Sequence, residues 1–278
     1  MAPNPSASSP AKPLRILMLH GFTQSGTLFR AKTGALTKAI TKAFLHNASF
    51  SFPTGPLPLN PADIPGYVTP DIKQKEIPDM EAFGWWRRPS STIPPIEYTG
   101  VEDAFRTVAQ TLRDEGPFDG VIGFSQGASL AFAVTSLLEN GRREAFSSAV
   151  TDKDYFPEPF IPENTGNHPP LKFCIVYSGF KFADMRYRAL YNPPVATPML
   201  HVMGTLDALV SEAMGRELAE TCGGDSDVIF HPGGHFVPGG KRYLDVAVGF
   251  VRMAMDKVNK EDNKKEEEER VEDMDVPF

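Results

Sequence analysis

Nine residues, Gly120-Val121-Ile122-Gly123-Phe124-Ser125-Gln126-Gly127-Ala128, restrict the fold more than any other part of the chain. A short apolar run (Phe118, Val121, Ile122, Phe124) leads into Ser125, and Ala128, Leu130, Ala131, Val134, Leu137 and Leu138 follow at helical spacing until Asn140-Gly141. This predicts a buried strand that breaks into a helix with a serine at the break. Gly123 and Gly127, two residues to either side, lack the Cβ atoms that would collide as strand and helix close up. Gly-x-Ser-x-Gly in that setting has the form of a nucleophile elbow, in which a strained serine presents its hydroxyl. A glycine-rich turn could carry the same letters, but a strand before and a helix after favour the elbow.

A chain of 278 residues with 41% hydrophobic content can bury one sizeable core. Residues 14–258 are therefore expected as one catalytic domain, between a disordered leader (1–13) rich in Pro, Ser and Ala and a disordered acidic tail (259–278). The formal net charge is −7, but Lys260 to Asp275 holds nine acidic and four basic residues, so this segment carries −5 and the rest −2. A nearly neutral body without a Lys/Arg cluster argues against nucleic acid or an anionic membrane as the main partner. No run approaches the roughly 18 apolar residues of a membrane span. The leader has no apolar core of signal-peptide type, which predicts a cytoplasmic or nuclear protein that is not secreted. Cys174 and Cys222 form no disulfide framework and read as buried or incidental thiols.

Along the chain, Leu14–Leu19 reads as a strand buried on both faces. After His20-Gly21-Phe22-Thr23-Gln24-Ser25-Gly26 comes a helical stripe (Phe29, Leu36, Ile40, Phe44), then a short strand at Ser49–Phe52. Ten of the 26 prolines fall between Pro53 and Pro95, so this stretch predicts a long surface excursion; it contains both tryptophans, Trp85 and Trp86. They are candidates either for lining a substrate pocket or for pinning the loop. Thr99-Gly100-Val101-Glu102 fits a capping box ahead of a helix through Leu112. Phe146–Pro170, polar and interrupted by prolines, reads as an insertion of loop and one helical turn. Strands are expected at Leu171–Tyr177, Met199–Met203 and Val228–Phe230, with a helix capped by Ser211 between the last two and a closing amphipathic helix from Tyr243 to Val258. Alternation of this kind calls for a doubly wound, mainly parallel sheet flanked by helices, with chemistry at the carboxyl ends of the strands.

A serine hydroxyl needs a base within hydrogen-bond reach, and the base needs an orienting carboxylate. Of six histidines, His20, His46 and His168 precede the expected acid or sit in the wrong context, His201 lies inside a strand, and His231 directly follows one. His235, in a glycine-rich loop after the last strand, is free to reach the serine. Asp207, in the loop after Met199–Met203, is the candidate acid; Asp154 and Asp184 are rivals without a strand immediately before them, and a helix-capping role is the bland alternative for Asp207. The developing oxyanion needs two fixed donors, for which the backbone N–H groups of Gln126 and Phe22 are the candidates, with His20-Gly21 shaping the loop.

The runs Leu17–Ser25, Ala31-Lys32-Thr33-Gly34-Ala35-Leu36, Gly84-Trp85-Trp86, Gly116–Ala128, Tyr177-Ser178-Gly179-Phe180 and Gly233–Pro238 resemble the FSH family of small serine hydrolases over about residues 14–255. The resemblance implies an α/β-hydrolase fold, here a single domain with irregular cap-like insertions at 53–97 and 146–170. It also implies Ser125, Asp207 and His235 as the triad, and the activity of a carboxylesterase or thioesterase. The expected function is thus hydrolysis of a small-molecule acyl ester through an acyl-enzyme, without metal or cofactor. An acyl thioesterase with the same triad and a non-catalytic relative that binds a ligand or partner are the alternatives; the intact Ser/Asp/His set speaks against the latter. Acyl group, leaving group and oligomeric state stay open.

Overall fold

The structure is a computed structural model that describes residues 12–60, 63, 82–87, 95–149, 156–223 and 225–274, with the backbone alone for helical residues 149, 261–263 and 265–274. Most of the expected leader, much of the proline-rich excursion and Asp154 lie outside the described residues.

Six strands form one parallel sheet: β1 (Leu14–Leu19), β2 (Ala48–Ser51), β5 (Gly120–Phe124), β6 (Phe173–Tyr177), β7 (Met199–Gly204) and β8 (Ser226–His231), in the order β2-β1-β5-β6-β7-β8. Every residue of β5, β6 and β7 is buried, which explains their unbroken apolar character; the edge strands β2 and β8 are partly exposed and carry serines and an aspartate. Side chains alternate across the sheet, so Leu17 and Leu19 of β1 enter one core layer while Ile16 and Met18 enter the other. The first layer lies under α3 (Val101–Glu115) and α4 (Gln126–Leu137). The second lies under α1 (Gly26–Lys32), α2 (Gly34–Ala43) and the closing helix α7 (Lys241–Met274). α5 (Arg142–Ala149) follows α4, and α6 (Glu212–Ala219) joins β7 to β8.

The chain leaves β1 toward β2 on one side and returns to β5 on the other. The loops after β1 and β5 therefore diverge and open a crevice at their carboxyl ends, the place where such sheets hold ligands.

Four elements differ from expectation. The capping box is not formed: Gly100, at φ 94°, caps α3 without a side-chain hydrogen bond, because Thr99 is engaged as the bridge partner of Arg87. In the left-handed region glycine is at ease where threonine is not. α5 begins at Arg142, directly after Asn140-Gly141, and enters the 146–170 insertion for only about one turn; Arg142 anchors it by donating to the carbonyls of Ala189 and Pro193 and to Glu139. Within the proline-rich excursion, β3 (Leu57–Pro58) and β4 (Phe83–Gly84) pair antiparallel in a two-stranded sheet. Finally, α7 continues to Met274, well past Val258. Lysine and glutamate are good helix formers, and opposite charges four apart support one another, so helix persists where no apolar stripe marks it.

Candidate active site

Ser125 sits between β5 and α4 with φ 54° and ψ −120°, a conformation costing on the order of 1–3 kcal/mol for a residue with a side chain. The surroundings hold it there. Its N–H donates to the Tyr177 carbonyl at 2.8 Å, and its carbonyl accepts from the N–H groups of Ala128 and Ser129. The flanking glycines are sterically required: a Cβ on Gly123 would lie 2.2 Å from the Gly127 carbonyl oxygen, and one on Gly127 would lie 2.3 Å from the carbonyl oxygens of both Leu19 and His20. The elbow can form only because α4 presses directly on β5 and on the end of β1.

His235 and Asp207 arrive from the ends of β8 and β7. Their loops are tied together, since Thr205 N–H donates to the His231 carbonyl and Leu206 N–H to that of Gly233. A Cβ on Gly204 would sit 2.5 Å from the carbonyl oxygens of Gly233 and Gly234, so the loops touch backbone to backbone. The result is a continuous chain: His235 Nε2 lies 2.8 Å from Ser125 Oγ, and His235 Nδ1 lies 2.8 Å from Asp207 Oδ2. The Phe124 ring, 4.8 Å from the imidazole, supports it from the side. With the Asp207 side chain 1% exposed, burial would push its carboxyl up, but donated hydrogen bonds from Val210 N–H, His235 and Leu209 N–H outweigh this and hold it below the usual carboxylate range. Asp207 is thus an anion in place to fix the Nδ1–H tautomer.

The structure does not bring the rival acid to this chain. Asp184 instead accepts from Tyr98 N–H and pairs with Arg186. Among the other histidines, His168 accepts from Phe118 N–H, His201 contacts Cys222 Sγ, and His231 packs between Phe236 and Tyr243 as the last residue of β8.

The backbone N–H of Gln126, the first residue of α4, has no intrahelical acceptor. In the loop after β1, the N–H groups of Gly21, Thr23 and Gln24 are committed to Gln24 Oε1, Phe83 and Gly21 respectively, and Phe22 lies between them. Phe22, Gln126 and Ser125 line one cavity of about 450 Å³. A larger groove, about 580 Å³ beside Glu139, Lys172 and Lys257, contains none of the three aligned residues.

His20 fixes the loop. Its Nε2 accepts from Gly55 N–H at 2.8 Å, so its proton is on Nδ1, donated to the Gly21 carbonyl at 2.8 Å. Burial lowers its pKa to about 4, which keeps the ring neutral. Both tryptophans are fully buried, but they do different things. Trp85 stacks on His20 at 4.8 Å, donates its Nε1 to the His20 carbonyl, and does not line the cavity; Trp86 lines it, with Phe182 and Tyr98 against its ring. The Gln126 side chain joins them, accepting from Trp85 N–H and donating to the Trp86 carbonyl. This bridge from the elbow to the proline-rich excursion leaves no mark in the sequence, because no local pattern links a glutamine side chain to backbone groups 40 and 41 residues away. Other cavity residues missed there are Tyr98, Phe180, Leu209, Val210 and Met214. Phe180, Leu209 and Val210 lie in loops that follow β6 and β7, whereas Tyr98 precedes α3 and Met214 sits in the first turn of α6, so position after a strand could have signalled only the first three.

The description of the matching family model is "Serine hydrolase (FSH1)", and it spans residues 8–247. Fission-yeast "Dihydrofolate reductase" is 32% identical over 234 residues, 82% of this chain but 44% of that protein, so the chain spans less than half of this relative's length. Zebrafish "Esterase OVCA2" is 31% identical over 250 residues, covering 87% of this chain and 98% of that one. Among solved structures, that of esterase PE8 superposes with a TM-score of 0.55 at 20% identity over 89% of this chain and 95% of its own, a likeness of fold. The chain belongs to the FSH1 family of serine hydrolases.

Proposed function

We propose that this serine hydrolase cleaves carboxylic acyl esters through an acyl-enzyme on Ser125, with His235 as general base and acid and Asp207 as its orienting carboxylate. The observation that carries this reading is the pair of 2.8 Å contacts linking Ser125 Oγ to His235 Nε2 and His235 Nδ1 to Asp207. Ser125 Oγ attacks the ester carbonyl carbon while His235 Nε2 takes its proton; Asp207 holds Nδ1–H and stabilises the imidazolium. The tetrahedral oxyanion accepts from Phe22 N–H and Gln126 N–H, donors fixed before the charge appears. Collapse breaks the bond to the leaving oxygen, which receives the proton from Nε2. Water then attacks the acyl carbon, loses a proton to His235, and Ser125 Oγ leaves with it. The acyl chain occupies the cavity beside Ser125, against Trp86, Phe180 and Val210.

Hydrolysis of aryl esters graded in acyl length tests this. The wild-type protein should turn them over and Ser125→Ala should lose on the order of 10⁴–10⁶ in rate. Equal turnover by the two proteins would overturn the assignment.

A further inference from the structure

Two cavities flank the Ser125–His235 hydrogen bond and share no lining residue. The one of about 450 Å³ touches Ser125, Phe22 and Gln126 but not His235; the other, about 270 Å³, touches His235 but not Ser125, and is walled by Phe29, Phe124, Phe236 and Val237 with Gln24 and Lys32. We infer that the second cavity receives the leaving group and that Lys32 selects leaving groups that carry an anion.

This inference rests on the ester-hydrolase reading above, and its first half follows from where atoms must be during acyl transfer. The acyl carbon is bonded to Ser125 Oγ and its oxygen faces the Phe22 and Gln126 N–H groups, so the acyl chain belongs to the cavity those residues line. The departing oxygen or sulfur must take its proton from His235 Nε2 and therefore leaves on the imidazole side. There the Phe124 ring, which also packs on His235, forms a wall with Phe29 and Phe236 suited to an aryl or alkyl stem.

The second half concerns charge. Each cavity has one lysine. Lys181, beside the acyl cavity, is already committed: its Nζ lies 3.3 Å from Glu217 and over the Tyr191 ring. Lys32 has no ion-pair partner among the described residues and is exposed at the end of α1, so its ammonium is available to whatever occupies the cavity it borders. Ala31-Lys32-Thr33-Gly34-Ala35-Leu36 is a segment that the triad and oxyanion donors leave without a role. A helix C-terminus accounts for a lysine here through the dipole alone. That role would affect stability and leave the choice of leaving group untouched.

Matched substrates separate the possibilities. With one acyl group throughout, kcat/KM is measured for para-carboxymethylphenyl against para-ethylphenyl esters, and for phosphopantetheine against pantetheine thioesters. The first pair offers a carboxylate and the second a phosphate, each beside a neutral partner of similar size. Wild type should favour the anionic member of at least one pair by about fivefold, as for a partly exposed charge pair, and high salt should shrink the preference. Lys32→Gln should abolish it by slowing the anionic member alone, and Lys32→Glu should reverse it. A preference confined to one pair identifies the anion as carboxylate or phosphate. No preference in either pair, or an equal loss on both members in Lys32→Gln, overturns the inference while leaving the ester-hydrolase reading intact. Failure of wild type to cleave any of the four overturns both.

Discussion

Trp85 Nε1 donates to the His20 carbonyl at 2.8 Å while the two rings stack at 4.8 Å, so a residue of the proline-rich excursion directly braces the loop that carries Phe22. The adjacent Trp86 faces the cavity beside Ser125. Trp85→Ala should therefore lower stability by about 3–5 kcal/mol, as for a fully buried ring. Trp86→Ala should in addition raise KM for longer acyl chains, at about 0.8 kcal/mol for each methylene that the missing ring leaves unburied, and spare the shortest. Thermal melts and kcat/KM against acyl length measure the two effects. A length-independent loss in Trp86→Ala would remove its ring from the acyl site.

Asp207 and Asp184 are both buried aspartates with strong hydrogen bonds, but only Asp207 meets His235. Asp207→Asn should lower kcat by about 10⁴, since the amide favours the wrong imidazole tautomer. Asp184→Asn should cost stability, by weakening its pairing with Arg186 and its bond from Tyr98 N–H, and leave kcat near wild type. Steady-state kinetics beside chemical denaturation of both variants check this; a kcat loss in Asp184→Asn larger than in Asp207→Asn contradicts it.

Burial lowers His20 and His201 to about 4, against an ordinary value near 6.5. Below pH 6.5 the unfolded chain takes up protons that the folded protein does not, so stability is complete above pH 6.5 and declines as the pH falls from 6.5 toward 4. Each histidine contributes on the order of 3 kcal/mol to that decline. Denaturant melts between pH 7 and 4.5 should show it, and His201→Gln should flatten the acid limb. A pH-independent stability over this window would contradict the neutral, buried state of both rings.

Gly127 leaves no room for a side chain against the carbonyl oxygens of Leu19 and His20. Gly127→Ala should push α4 off β1, disturbing Ser125 and the loop of Phe22 together, so both melting temperature and kcat should fall. An alanine variant with wild-type melting and turnover would show that the backbone here yields.

The central strands, the strained turn at Ser125 and the meeting of Ser125, His235 and Asp207 are legible because each has a local signature: unbroken apolar runs buried on both faces, glycines where backbone meets backbone, and loops directly after strands. The bonds joining Gln126 to Trp85 and Trp86 are not, because they span about forty residues of irregular chain with no periodicity. Thr99 departs from its local pattern for a related reason: its pairing with Arg87 is a tertiary contact that overrides a sound capping motif. The continuation of α7 past Val258 rests on helix propensity and charge spacing, signals that an apolar stripe would have outweighed.

The 2.8 Å contact between Ser125 Oγ and His235 Nε2 is tested most directly by a fluorophosphonate, which bonds covalently only to an activated serine. Intact mass and peptide mapping of the labelled protein should give one adduct, on the peptide containing Ser125. His235→Ala should label far more slowly, and Ser125→Ala should not label at all. An adduct on any other residue, or undiminished labelling of Ser125→Ala, would contradict the assignment of Ser125 as the nucleophile.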